Sequence, residues 1–348
     1  MKTRFWKMDP KNRNKTIYQE AAELLRQGEV IAFPTETVYG LGADATNPEA
    51  VSKIYQAKGR PADNPLIVHI ASQKQMNFIS EIPEKAKKLM GNFWPGPITI
   101  VLPVKSGILA ENCTAGMDTV GVRIPEHPVS LALLHEVGLP IAAPSANSSG
   151  RPSPTNAQHV AEDLTGKIAG IIDGGDTNVG VESTVIDCTI ATPAILRPGG
   201  ISVEAIEAII GKVQSAKDTL KKEEAPKAPG MKYTHYAPKA PVYLIDGSLA
   251  FFKDTYERLT LAGEKVGLLI SKELATSWPE QSKTTIVIGS KENRTEIAQH
   301  LYAGLRAFDH TDVTIILAET YKRTEIGDAV MNRLEKAAGG NYLSESKK

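Results

Sequence analysis

Lys58 and Arg60 stand two apart in Lys58-Gly-Arg-Pro-Ala-Asp-Asn-Pro-Leu66, where a glycine and two prolines fix the backbone. Lys is a compact point charge for phosphate oxygens, and Arg offers a planar fork. The competing reading is two cations at a helix C-terminus, favoured only by the dipole. Further on, Ala142-Ala-Pro-Ser-Ala-Asn-Ser-Ser-Gly-Arg-Pro-Ser-Pro154 follows an apolar run and presents Ser145, Asn147, Ser148, Ser149 and Ser153. Small hydroxyls and an amide bind phosphate oxygens without adding negative charge. A plain Ser/Pro/Gly turn is the alternative. No Ser-His-Asp arrangement is implied, so Ser145 is not read as a nucleophile. Lys58, Arg60, Ser145 and Asn147 are therefore the candidate catalytic group, acting by placing and neutralising a nucleotide.

Three more segments carry polar groups. Pro34-Thr-Glu-Thr-Val-Tyr-Gly40 packs two hydroxyls, a carboxylate and a phenol into seven residues after a strand. Loops at strand ends are where α/β sheets bind ligands. His69 lies in Leu-Ile-Val-His-Ile, and Arg123 ends the apolar run Thr119-Val-Gly-Val-Arg. A buried Arg needs an anionic partner, either a substrate carboxylate or an internal acid. Asp173, Asp176 and Glu182 are acids in Gly-rich turns that can help hold Mg²⁺, although acidic turn residues are common.

These groups need a scaffold, and the periodicity supplies one. Apolar spacing from Ile17 to Leu25 predicts a helix stopped by Gly28, and Glu29–Phe33 a strand. Pro34–Ala45 reads as a loop. Asn47-Pro48 predicts a capped helix to about residue 57. Strands are expected at 66–70, 98–104, 119–124, 140–143, 170–173 and 183–188, with helices at 83–90, 128–137, 155–164 and 202–210. Lys217–Lys227 is Lys/Glu-rich with almost no apolar content and reads as a solvated linker. From Pro241 a new alternation begins: strands at 242–245, 266–270, 285–288 and 313–317, helices at 249–262, 293–308 and 326–338. The fold class is α/β: a twisted mixed sheet with helices, then a smaller Rossmann-like parallel α/β domain. Expected boundaries are 8–211 for the catalytic domain, 212–241 for a linker and 242–341 for the last domain. Neither GxGxxG nor GxxxxGK[ST] occurs.

Composition narrows the classes. Of 348 residues, 41% are hydrophobic and 40 basic residues balance 40 acidic ones. That balance argues against tight nucleic-acid binding by counterion release. No run reaches the ~20 apolar residues of a membrane span, so a cytoplasmic location is expected. Cys113 and Cys188 form no metal spacing and are expected to be reduced and structural.

Taken in order, the PTETVYG loop, Lys58-x-Arg60, His69, Val122-Arg123, Ser145-x-Asn147, Gly180-Val-Glu-Ser-Thr184 and Leu196-Arg-Pro-Gly199 resemble the threonylcarbamoyl-AMP synthase family, the YrdC-type domain. The resemblance covers roughly residues 8–211. Pro229-Gly-Met-Lys-Tyr-Thr-His-Tyr-Ala-Pro238 and the trailing domain resemble the two-domain type. It implies synthesis of L-threonylcarbamoyladenylate and pyrophosphate from L-threonine, bicarbonate or CO₂, and ATP with Mg²⁺, the ion held mainly through the phosphates. Downstream proteins would transfer the group to tRNA beside the anticodon. Residue by residue, it implies ATP contacts from Lys58, Arg60, Asn64, Thr119, Ser145, Asn147, Ser153, Arg197 and Tyr236, with Tyr236 making the linker a lid. It implies threonine contacts from Thr37, His69, Arg123, Ala143 and Ser183. Two other readings compete: an RNA-binding module without ATP turnover, and another carbamoyl-transfer enzyme on the same scaffold.

Overall fold

The computed structural model describes residues 2–8, 15–215, 236–278 and 284–345. They form two compact units: 2–149 with 153–215, and 150–152 with 236–345.

The first unit is built on an 11-stranded mixed sheet. Its strand order is Arg4–Lys7, Gly170–Asp173, Ile31–Phe33, Gly40–Asp44, Ile141–Ala142, Ile67–His69, Thr119–Arg123, Ile98–Pro103, Thr184–Asp187, Ala194–Arg197 and Gln214–Ser215. Successive strand side chains point to opposite faces, and the core divides accordingly. Ile31 and Phe33 join Ala21, Leu25, Leu133 and Leu134, from the helices Lys15–Arg26 and Pro128–Val137. Val30 and Ala32 join Ile54, Leu89, Val160 and Ile206, from Pro48–Lys58, Glu84–Phe93, Ala157–Leu164 and Val203–Ile210. The sheet is thus sandwiched between two helical layers.

Two expectations are corrected. Pro34–Ala45 is not all loop: Gly40–Asp44 is a strand antiparallel to Ile31–Phe33. Glycines weaken strand signals, yet here one is required, because a Cβ on Gly42 would lie 2.6 Å from the Phe33 ring. Arg4–Lys7, Ala194–Arg197 and Gln214–Ser215 are strands that were not expected. The first lies at the sheet edge, where Trp6 alone is buried.

In the second unit all five strands pair in parallel, ordered Thr285–Val287, Val266–Ile270, Ile315–Glu319, Val242–Asp246 and Tyr342–Ser344. The helix Lys272–Ser277 and the strand Tyr342–Ser344 are additional to the expected set. Leu268 and Ile270 pack with Phe252, Leu274 and Trp278, so the helices Leu249–Leu261 and Lys272–Ser277 cover one face. Leu269, one residue out of phase, lies against Gly304 of the helix Arg294–Ala307 on the other face. Among the described residues no helix is long and apolar enough to cross a membrane.

Candidate active site

Asn47 starts the helix that delivers Lys58. Its side chain accepts from the backbone N–H of Glu49 at 2.9 Å and of Ala50 at 3.2 Å, with Pro48 in the first turn. Gly59 ends the helix in the left-handed region, at φ 61°, where glycine carries no steric cost. Lys58 is therefore buried rather than flung into solvent. Its Nζ donates to the Ser145 carbonyl, to the Asn147 carbonyl at 2.6 Å and to Asn147 Oδ1 at 3.4 Å. Ser145 Oγ in turn donates to Asn147 Oδ1 at 2.5 Å. The Ser-x-Asn turn is pinned from behind, since Ser149 N donates to the Lys58 carbonyl at 2.8 Å and Ser148 N to Asp163 Oδ2 at 3.0 Å. Lys58, Ser145 and Asn147 thus form one cluster. Arg60 turns its Nη2 to the Asn64 carbonyl at 3.2 Å, and Asn64 is itself buried with Oδ1 lacking a hydrogen-bond partner.

A second cluster surrounds Arg123. His69 and Arg123 are register partners on adjacent parallel strands, so their side chains share a face. Arg123 donates from Nη1 to Thr37 Oγ1 at 2.9 Å and from Nε to the Gly96 carbonyl at 3.3 Å. Its Nη2 lies 2.6 Å from Glu36 Oε1, and both side chains are 5% exposed. Neither Glu36 oxygen has a geometrically formed hydrogen bond. His69 is buried, with Nδ1 3.3 Å from the Ile67 carbonyl. Burial, and then the Arg123 charge, push its pKa down to about 3, so the ring is neutral at neutral pH. The loop that carries Glu36 and Thr37 is clamped by backbone bonds, Val179 N to the Glu36 carbonyl at 2.8 Å and Gly180 N to the Thr37 carbonyl at 3.2 Å.

The two clusters sit on one stretch of sheet. Gly40 and Ser145 form a β-bridge, and Ala143 N donates to the Ile67 carbonyl at 2.8 Å. Ser183 and Arg197 belong together. Arg197 donates to the Ser183 carbonyl from Nη2 at 3.0 Å, and Ser183 Oγ lies 2.8 Å from Thr99 Oγ1. Gly199 makes this possible, because a Cβ there would lie 2.2 Å from Thr184 N. Ser153 Oγ donates to Glu182 Oε1 at 2.6 Å, both buried.

Thr119 lies at the far end of its strand from Arg123, about 13 Å away at the usual rise per residue, and Tyr236 falls in the second unit. Thr119 lines a different cleft with Pro83, Lys85 and Cys188. Tyr236 lies 5.3 Å from the Tyr302 ring and 5.7 Å from the Arg333 guanidinium. The rest of the expected lid, up to residue 235, lies largely outside the described residues. Sequence reasoning did not single out Glu36 as a site residue or join Glu182 to Ser153. The signal for Glu36 was present: a lone carboxylate among hydroxyls in a loop of short residues, opposite an Arg that needed an anion. Asp176 is exposed, Asp173 accepts from Gly175 N at 3.0 Å, and no cluster of three candidate ligands occurs among the described residues.

Comparisons with known proteins agree along the chain. Residues 23–199 match the family model described as telomere recombination, and residues 201–339 the one described as the threonylcarbamoyl-AMP synthase C-terminal domain. Threonylcarbamoyl-AMP synthase of Bacillus subtilis is 50% identical over 99% of this chain and 100% of its own. The Pyrococcus abyssi enzyme of the same name is 49% identical over 92% of this chain and 93% of its own. The crystal structure of P. abyssi Sua5 complexed with L-threonine superimposes with a TM-score of 0.90 at 44% identity, covering 99% of this chain and 100% of that one. E. coli YciO covers 57% of this chain and 96% of its own, with a TM-score of 0.52 and 26% identity.

Proposed function

The chain belongs to the threonylcarbamoyl-AMP synthase family, and on that premise we propose how its own residues make threonylcarbamoyl-AMP. The threonine amine attacks the carbon of CO₂. Its N–C bond forms as one C=O π pair moves onto oxygen, and the proton leaves nitrogen for solvent. A carbamate oxygen then attacks the α-phosphorus of ATP, and the bond to the pyrophosphate oxygen breaks. Such chemistry needs positioning and charge compensation more than a protein nucleophile.

Arg123 grips the threonine carboxylate. Thr37, neutral His69, the Ala143 carbonyl and Ser183 fix its amine and hydroxyl. Lys58 and Arg60 neutralise the triphosphate, Ser145 and Ser153 hydroxyls and the Asn147 amide N–H donate to its oxygens, and Asn64 and Arg197 help seat the nucleotide. Mg²⁺ arrives with ATP and is held mainly through its phosphates. The product is passed to proteins that modify tRNA, in the cytoplasm.

The observation that carries this reading is the pairing of two polar clusters on one sheet: a buried guanidinium beside a neutral imidazole, and an ammonium bound into a Ser-x-Asn turn. The first suits an amino acid, the second a phosphate chain. The test is purified protein with ATP, bicarbonate and L-threonine. Pyrophosphate release should require threonine, and release that ignores threonine overturns the assignment.

A further inference from the structure

The parallel sheet of the second unit contains a topological switch. Val242–Asp246 and Ile315–Glu319 are neighbours, with Leu244 opposite Ala318. The helix after the first, Leu249–Leu261, lies on the face that carries Phe252, Leu268 and Leu274. The helix after the second, Gly327–Ala338, packs with Arg294–Ala307, which covers the opposite face at Leu269. Chains that diverge to opposite faces leave a crevice beyond the strand ends, and open α/β sheets bind ligands there. A cleft of about 280 Å³ occupies that place, small for a drug-sized ligand and suited to one of roughly twenty heavy atoms.

The lining has a definite chemistry. Glu273, Glu319 and Lys291 leave it with one excess negative charge. Glu319 is buried, pairs with Lys291 Nζ and accepts from Ser271 N at 2.9 Å. Glu273 accepts from Ser290 Oγ and from Lys291 N at 2.9 Å. Each carboxylate oxygen can accept two hydrogen bonds, so Glu319 retains capacity for a ligand's hydroxyl, while Glu273, which also has Ser271 and its own N–H nearby, meets the cleft as an exposed acceptor. The Tyr321 hydroxyl is buried without a hydrogen-bond partner, and burial, then Glu319 and Glu273, push its pKa well up. A donor brought to these acids meets acceptors that the protein leaves partly unused.

An anionic ligand is disfavoured. The anion position of such a fold is the N-terminus of the first helix. Here Ser248 N donates to Glu345 Oε2 at 2.7 Å and Ser248 Oγ to Glu345 Oε1 at 3.0 Å, so a carboxylate of the chain already fills it. Leu249, Phe252 and Leu274 supply an apolar wall beside the acids.

We propose that this cleft binds an unphosphorylated ribonucleoside, its vicinal diol donating to Glu273 and Glu319 and its base lying on Leu249, Phe252 and Leu274. The 3′ end of an RNA carries the same diol but adds a phosphodiester that the filled helix terminus rejects. The test is hydrogen exchange by mass spectrometry on the full chain with adenosine, 2′-deoxyadenosine, 5′-AMP and a short oligoribonucleotide with a free 3′ end. Adenosine slows exchange in peptides spanning 245–252, 271–277 and 319–321. 2′-Deoxyadenosine and 5′-AMP do so at least tenfold more weakly. Glu273 is exposed, so Glu273→Gln keeps the fold; it weakens the adenosine effect at least tenfold while threonine-dependent pyrophosphate release is unchanged. Protection confined to residues 15–215, equal protection by 2′-deoxyadenosine, or an oligonucleotide binding as well as adenosine each overturns the proposal. Because the readout is local to the second unit, its failure leaves the catalytic reading untouched.

Discussion

Replacing Arg123 with alanine removes three contacts at once, to Thr37 Oγ1, the Gly96 carbonyl and Glu36. Two costs follow, and they are separable. A carboxylate ligand loses charge-assisted hydrogen bonds, each worth about 1.5–3 kcal/mol. At about 1.4 kcal/mol per tenfold, two such bonds raise the threonine KM by roughly 10²–10⁴-fold. On the proposed assignment the Lys58 cluster seats the nucleotide, so the ATP KM should change by less than about tenfold. The second cost is structural. Glu36 is left as a buried carboxylate without its cation, and breaking such a pair from one side costs about 3–5 kcal/mol. Glu36→Gln added to Arg123→Ala removes the stranded charge and should recover about 1–3 kcal/mol of stability, a coupling typical of contacting residues. It should not recover threonine binding. The assays are steady-state pyrophosphate release with each substrate varied, and urea denaturation of the two single variants and the double. An equal rise in both KM values refutes the carboxylate assignment. Strictly additive stabilities refute the view that Glu36 and Arg123 form a coupled buried pair.

Lys58→Ala should lower kcat/KM for ATP roughly a hundredfold or more, at about 1.5–3 kcal/mol per charged hydrogen bond; Lys58→Arg should not restore it, because two carbonyl oxygens converge on one ammonium and a planar fork cannot reproduce that. His69 has a folded-state pKa of about 3 against 6.5 for the ordinary residue, so the unfolded chain binds the extra proton first. Its stabilising effect is complete above pH 6.5 and is lost as pH falls toward 3, at up to about 1.4 kcal/mol per pH unit. Urea midpoints at pH 7, 6 and 5 should therefore decline less steeply in His69→Gln, and an unchanged slope refutes the assignment. Gly199→Ala would place a Cβ 2.2 Å from Thr184 N and 2.3 Å from the Ser183 carbonyl carbon. Backbone cannot yield as a side chain can, so this variant should lose about 1–3 kcal/mol and bind threonine more weakly, read by thermal unfolding and KM.

What the sequence made legible follows from signal strength. Helices with apolar periodicity and explicit caps, such as Pro48–Lys58 between Asn47 and Gly59, stood at the expected positions. Strands with continuous apolar runs did too. Gly40–Asp44 was hidden because Gly42 is required for close approach to Phe33, a tertiary reason that no local pattern expresses. Arg4–Lys7 was hidden because an edge strand buries only one side chain and so shows no alternation. At the site, residue types at fixed spacing named Lys58, Ser145, Asn147, His69 and Arg123, but partnership between distant segments was not readable. Glu36 meets Arg123 across 86 intervening positions (87 in numbering), and Ser153 meets Glu182 through a fold that brings two turns together.

Glu36 also alters what Arg123 means for selectivity. A buried guanidinium alone would attract any anion, ATP included. Paired with Glu36 and flanked by a neutral imidazole, that end of the site has little net charge before substrate arrives. A zwitterion can enter without leaving an uncompensated charge, its carboxylate taking up the remaining N–H capacity of Arg123 and its ammonium facing the underused Glu36 oxygens. A phosphate chain gains nothing comparable there, because Glu36 opposes it. Lys58 is held differently, by carbonyl dipoles that fix an ammonium in place without cancelling its formal charge. On the proposed assignment, two cations of the same sign sort two substrates: the one with an acid beside it takes the amino acid, and the one bound by carbonyls takes the phosphates. No group in either cluster has to form a covalent bond for the reaction to proceed. On that assignment, the site's contribution is to decide which charge goes where before the carbamate and the α-phosphorus meet.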